Sequence, residues 1–156
     1  MSNDVYGYLE PTLGMNEAAL LKEYIKNSSL NIQSITEKEL FNYPSEFIPT
    51  KELFIFDIAD GPNSINATYL IDYLEYDPES CDIGFPSDPK KRLNILLDTL
   101  VDMIKITNAK KMVVAMTDCN QIETIKKINL SELYDVIHAD FEKYRAPPDT
   151  LYEITV

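Results

Sequence analysis

The sequence predicts an α+β domain: a mixed or mostly antiparallel sheet with about four helices packed on it, formed as a single globular unit over residues 1–156. Three observations predict it. Asp88 to about Thr107 repeats apolar residues at helical spacing, while several shorter runs are dense in β-branched and aromatic residues. Helical and strand-like segments also interleave without a βαβ repeat, which favours a layered, mixed sheet over a doubly wound one.

The first predicted helix starts at Asn16, a residue able to cap it, and places Leu20, Leu21, Tyr24 and Ile25 on one face. Leu30–Ile35 alternates apolar and polar residues as a strand does. Glu52–Ala59, rich in Phe and Ile, is a second strand. Ile65–Tyr76 fits either state. A strand puts Tyr69, Ile71 and Tyr73 on one face, whereas a helix groups Leu70, Tyr73, Leu74 and Asp77; the β-branched and aromatic content favours the strand. Turn signals bracket it at Asp60-Gly61-Pro62-Asn63 and Asp77-Pro78-Glu79-Ser80.

The helix from Asp88 carries the clearest pattern. Ser87 or Asp88 caps it, Pro89 suits its first turn, and Leu93, Leu96, Leu97, Leu100, Val101 and Ile104 form an apolar stripe opposite Asn94, Asp98 and Asp102. Lys111–Met116 follows as a buried-type strand. Asp118 or Asn120 then caps a short predicted helix through Lys127. A last helix spans about Ser131–Tyr144, stopped by Pro147 and Pro148, and Leu151–Val156 is a closing strand.

Charge is the main functional signal. The formal net charge is −12, and residues 52–89 carry nine acids (Glu52, Asp57, Asp60, Asp72, Glu75, Asp77, Glu79, Asp82 and Asp88) without one Lys or Arg. The same stretch holds enough Phe, Ile, Leu and Tyr to fold, so it predicts an ordered negative surface rather than an acidic tail. Tyr69, Tyr73 and Tyr76 alternate with Asp72, Glu75 and Asp77, and tyrosine offers large contact area with a polar tip. The predicted partner-binding set is therefore Tyr69, Asp72, Tyr73, Glu75, Tyr76, Asp77, Glu79 and Asp82, facing a basic protein.

The residue inventory argues against most chemistry. Four glycines, none at phosphate-cradle spacing, exclude the Rossmann and P-loop patterns. His138 is the only histidine, and an i,i+4 pairing with Glu142, or a position on the helix flank, accounts for it without catalysis. Cys119 beside a predicted helix start, and Cys81, read as reduced structural thiols. Asp77, Glu79 and Asp82 are acids in a turn, but no EF-hand pattern surrounds them, and one histidine with two distant cysteines disfavours zinc. No catalytic residue, metal or cofactor is assigned, and nucleic acid is disfavoured as a partner by the sign of the charge. The opening Met-Ser-Asn-Asp-Val-Tyr-Gly lacks the basic and apolar regions of a secretory signal, and no apolar run approaches a membrane span. The expected location is the cytoplasm.

The segment Asp60-Gly-Pro-Asn-Ser-Ile-Asn-Ala-Thr-Tyr-Leu-Ile-Asp-Tyr-Leu-Glu-Tyr-Asp77, with the helix opening Ser87-Asp-Pro-Lys-Lys-Arg92, gives the chain its resemblance to the immunity proteins of bacterial contact-dependent growth inhibition systems. That resemblance implies a non-enzymatic inhibitor that binds the C-terminal toxin domain of a secreted effector, often a nuclease, and covers its active site. It carries no residue roles with it. An acidic nucleic-acid mimic or another adaptor is the alternative expectation, and a metal-assisted enzyme a third.

Overall fold

The computed structural model describes residues 3–58, 70–73, 86–118 and 120–156. Strand β1 (Asn3–Glu10) leads through helix α1 (Met15–Asn27) to the short strand β2 (Ile32–Ser34). Two 3-10 turns, Glu37–Leu40 and Ser45–Phe47, precede β3 (Phe54–Ile58). Helix α2 (Pro89–Thr107), β4 (Lys111–Asp118), β5 (Thr124–Asn129), helix α3 (Leu133–Tyr144) and β6 (Thr150–Thr155) complete the order. The six strands lie as β2-β3-β1-β4-β6-β5, antiparallel throughout except for the parallel β5–β6 pair that α3 connects. The fold is thus α+β around a mixed sheet.

β1 occupies the interior of that sheet, with eight residues in register against β4 and four against β3. No strand is expected there from the sequence, because Asn-Asp-Val-Tyr-Gly-Tyr has a polar start and a central glycine, both weak strand signals. Its alternation nevertheless serves two layers. Val5 and Leu9 enter the core under the helices, while Tyr6 and Tyr8 enter a second cluster on the opposite face. Gly7 is required for close approach: a Cβ built there would sit 2.0 Å from the Val113 carbonyl oxygen.

The helix-side core is built on α2. Asp88 caps it by accepting from the Lys90 amide at 2.9 Å, Pro89 fills the first turn, and Asn108 ends it in the left-handed region at φ 52°. Leu93, Leu96, Leu97 and Leu100 are fully buried, as the stripe predicts. On the other face the two 3-10 turns deliver Leu40, Tyr43 and Phe47 onto Tyr6, Tyr8, Ile55 and Val113. The Tyr43 hydroxyl donates to the Tyr6 carbonyl at 2.6 Å, fastening this layer to β1.

Three expectations need correction. The predicted Asp118–Lys127 helix is instead β5: Thr124, Ile125 and Ile128 are β-branched, and parallel pairing with β6 gives the backbone its hydrogen bonds. Helix α1 begins after Gly14 rather than Asn16, and Leu20 is 57% exposed, leaving Leu21 as its buried residue. Of Ile65–Tyr76 only residues 70–73 are described. There Leu70 and Ile71 are helical, not extended, and both are buried with Tyr73, a grouping that strand alternation would not produce. The turn signals at 60–63 and 77–80 lie outside the described residues. Among the described residues, no helix is long and apolar enough to cross a membrane.

Two substitutions test this core. Leu97→Ala or Leu100→Ala is expected to cost about 2–5 kcal/mol in urea unfolding, since both side chains are completely enclosed. Gly7→Ala is expected to destabilise through a backbone clash that no side-chain rotation relieves, lowering the melting temperature. Wild-type stability for either would contradict the packing described.

Candidate acidic binding site

Two of the eight predicted partner-binding residues, Asp72 and Tyr73, are described. Tyr73 is only 4% exposed: its ring packs at 6.1 Å from Phe141, with the Arg145 guanidinium 5.4 Å above it. Its hydroxyl donates to Glu142 at 2.8 Å, and burial followed by that carboxylate pushes the phenol up to about 12. Tyr73 therefore anchors its segment to α3 instead of offering contact area. Asp72 is half-buried, and its carbonyl accepts from Arg92 at 2.6 Å. Arg92, 1% exposed, also donates to the carbonyls of Pro86 and Ser87, so one cation ties residues 70–73 to the start of α2. Tyr69, Glu75, Tyr76, Asp77, Glu79 and Asp82 lie outside the described residues, as do Cys81 and Cys119.

Of the two placements the sequence allows for His138, the structure has the half-buried helix flank and not the pair with Glu142. Its Nε2 lies 2.6 Å from Asn94 Oδ1 on α2, and burial, then Lys90, lowers its pKa. Glu142 is instead engaged by Tyr73 and Arg145.

The acid-rich stretch contributes one residue, Asp57, to an acidic concavity at its first strand. Asp57 on β3 stands in register with Tyr6 on β1, and cross-strand partners project to one face, here the face away from the helices. Asp4, two residues back along β1, shares that face. Glu39 joins from the first 3-10 turn, where its carboxylate accepts from the Thr36 amide at 2.9 Å and the Thr36 hydroxyl at 2.6 Å. These three acids, Tyr6, Asn120 and the 75%-exposed Phe41 border a concavity of about 200 Å³. Asn42 ties two of these residues together, its amide nitrogen donating to the Tyr6 hydroxyl and to the Asn120 carbonyl.

Hydrogen bonding here is incomplete. Asp57 Oδ1, Asn42 Oδ1 and Thr117 Oγ1 are all buried without a hydrogen-bond partner. The Asn42 amide cannot be turned over to relieve this, because its nitrogen already serves a carbonyl acceptor. Thr117, completely enclosed, is the register partner of Asp4 on β4 and so shares the site's face. Burial raises the Tyr6 phenol's pKa, and the neighbouring Asn42 amide and Thr117 hydroxyl offset part of that rise. Burial, then the charges of Asp4 and Glu39, raise the Asp57 pKa above the usual carboxylate value. Among the described residues, no Lys or Arg borders this concavity.

A larger cavity of about 630 Å³ lies on the same face at the far end of β1, between Tyr8, Glu10, Leu53, Lys51, Lys110 and Lys111. Its charges are mixed and partly self-satisfied: Lys111 pairs with Glu153 at 2.8 Å and Glu10 at 4.0 Å. Size alone favours it, but the crowding of like charges lies at the smaller acidic concavity. The sequence brings Asp57 to notice within the acid run; Asp4 and Glu39 carry no local signal, since only strand pairing and a distant turn unite them. No family model, curated protein or solved structure matches the chain.

The raised Asp57 pKa fixes the sign of a pH effect. A carboxyl that binds its proton more tightly when folded stabilises fully below the unfolded value of about 3.9, and that stabilisation is lost as pH rises through the folded value. Asp57→Asn, which stays neutral, is therefore expected to unfold at higher urea than wild type at pH 7, with the difference closing near pH 4. A variant less stable than wild type at pH 7 would contradict this account.

Proposed function

We propose that this chain is a non-enzymatic binding protein that captures and neutralises a basic protein, as the resemblance to contact-dependent growth inhibition immunity proteins implies. The observation that carries the reading is the acidic concavity bordered by Asp4, Glu39 and Asp57, where like charges crowd Asp57. It sits at the head of the base-free run of acids. The exposed ring of Phe41 at its rim adds apolar contact beside the charge, the combination from which interface anchors are built. A field of this sign steers a cationic toxin domain toward the site and penalises nucleic acid. The partner in this reading is the C-terminal toxin domain of a secreted effector, bound in the cytoplasm, with its active site covered.

The test is affinity for the toxin domain encoded beside this protein, measured across ionic strength. Binding is expected to weaken steeply as salt rises from low to physiological, because exposed charges are screened over about 8–10 Å in that range. Replacing Glu75 and Asp77 with lysine is expected to weaken it further and flatten the salt slope. Tight binding indifferent to both salt and these replacements would overturn the charge-led reading.

A further inference from the structure

We propose that the cavity of about 630 Å³ at the far end of β1 binds a small organic monocarboxylate with an apolar body, a second site separate from the acidic concavity. Its volume is that of ordinary small-molecule sites, and like them it combines apolar lining with a few polar groups. Ile48 and Pro49, just after the second 3-10 turn, and Leu53, just before β3, supply the apolar part. Local bonds hold the surrounding backbone: the Lys110 amide donates to the Glu10 carbonyl at 2.8 Å, and the Thr12 hydroxyl to the Glu52 carbonyl at 2.8 Å. Tyr8 is the residue that calls for a ligand. It is 3% exposed, packs its ring beside Tyr43 and lines the cavity. Its hydroxyl makes no hydrogen bond to the described residues, yet it is not sealed in as the oxygens of Asp57, Asn42 and Thr117 are, so what surface it keeps opens into this cavity. Burial, then the charges of Glu10 and Glu153, push its pKa up, so the phenol is a neutral O–H that donates and lacks an acceptor.

The lysines set the sign of the ligand. Lys111 is occupied by Glu153 at 2.8 Å, but Lys51 and Lys110, both exposed, form no ion pair among the described residues. In a chain with 14 basic and 26 acidic residues, two unpaired ammonium groups bordering one cavity favour an anion there. Glu10 and Glu46 line the same space and oppose a second negative charge, and no arginine lines it to grip a phosphate through a bidentate fork. A carboxylate carries one charge and accepts through both oxygens, which suits it to an O–H donor and an ammonium together. The apolar lining then covers the rest of the molecule, excluding water from that head group.

The probes are octanoate, octanamide and octyl phosphate, titrated into the full chain at about pH 8, where octyl phosphate is doubly charged, and followed by backbone amide NMR. Octanoate is expected to give saturable shifts at Tyr8, Leu53, Lys110 and Lys111, with at least about tenfold higher affinity than octanamide and a clear margin over octyl phosphate. Tyr8→Phe keeps the ring and deletes only the unpartnered hydroxyl, so it is expected to weaken octanoate about fivefold without lowering the melting temperature. Lys51→Gln combined with Lys110→Gln, at exposed positions, is expected to weaken octanoate about tenfold and leave octanamide unchanged. Absence of saturable shifts, equal affinity for octanoate and octanamide, or indifference to either variant would overturn the proposal. So would shifts centred on Leu21, Ile25 and Phe54, which line the apolar groove between α1 and β2, since these would mean unspecific apolar partition. Tighter binding of octyl phosphate than of octanoate would sink the monocarboxylate assignment. The cavity and the acidic concavity share no lining residue, so this site stands or falls apart from the basic-partner reading.

Discussion

The structure depends on β1 being wedged between β3 and β4. That placement is possible because Gly7 lets the Val113 carbonyl come where any side chain would collide. Removing β1 would leave β2 and β3 unattached to the β4–β6–β5 half of the sheet. One strand thereby supplies both layers. Val5 and Leu9 lie under the helices, Tyr6 and Tyr8 under the 3-10 turns, and Asp4 at the edge of the second layer becomes a wall of the acidic concavity. Core and site are two faces of a single alternation.

Elsewhere the chain buries charge with care. Asp140, 6% exposed, receives Lys126 at 2.6 Å and the Tyr152 hydroxyl at 2.7 Å; Arg92 is met by three carbonyls. The hydrogen-bonding capacity of these buried groups is answered on site, which offsets the cost of burying them. Asp57 breaks this pattern. It is crowded by acids of its own sign and one of its oxygens has no donor, so its environment differs in kind from that of Asp140, not merely in exposure. That contrast within one sheet is what singles the concavity out.

What the sequence reveals follows from the range of the interactions that fix each element. Helix α2 and strands β4 and β6 are set by local pattern, cap and apolar density, and they are legible within a residue or two. β5 is not: Thr-Ile-Lys-Lys-Ile places its two isoleucines three apart, a helical spacing, and only pairing with β6 settles it as a strand. β1 is hidden because its glycine and polar start are explained solely by a neighbour far along the chain. The concavity is hidden for the same reason, since residues 4, 39 and 57 meet only once the strands are paired. Charge composition marks the region of Asp57 but says nothing of its walls. Tyr73 shows the converse, an apparent interface tyrosine drawn inward because its segment turns helical against α3.

The long reach from β1 to β4 also has a consequence for how the chain is made. Tyr6 pairs with Ala115, so the sheet cannot close until about 110 further residues have been synthesised. At ribosomal rates of roughly 5–20 residues per second that is an interval on the order of 5–20 s. Through that interval Val5, Tyr6, Tyr8 and Leu9 have no β4 beside them. The β5–α3–β6 unit, by contrast, closes within some thirty residues and emerges last. Nascent chains of this protein therefore pass through a stage in which β1 can pair with β3 but its other edge, the future centre of the sheet, still waits for β4.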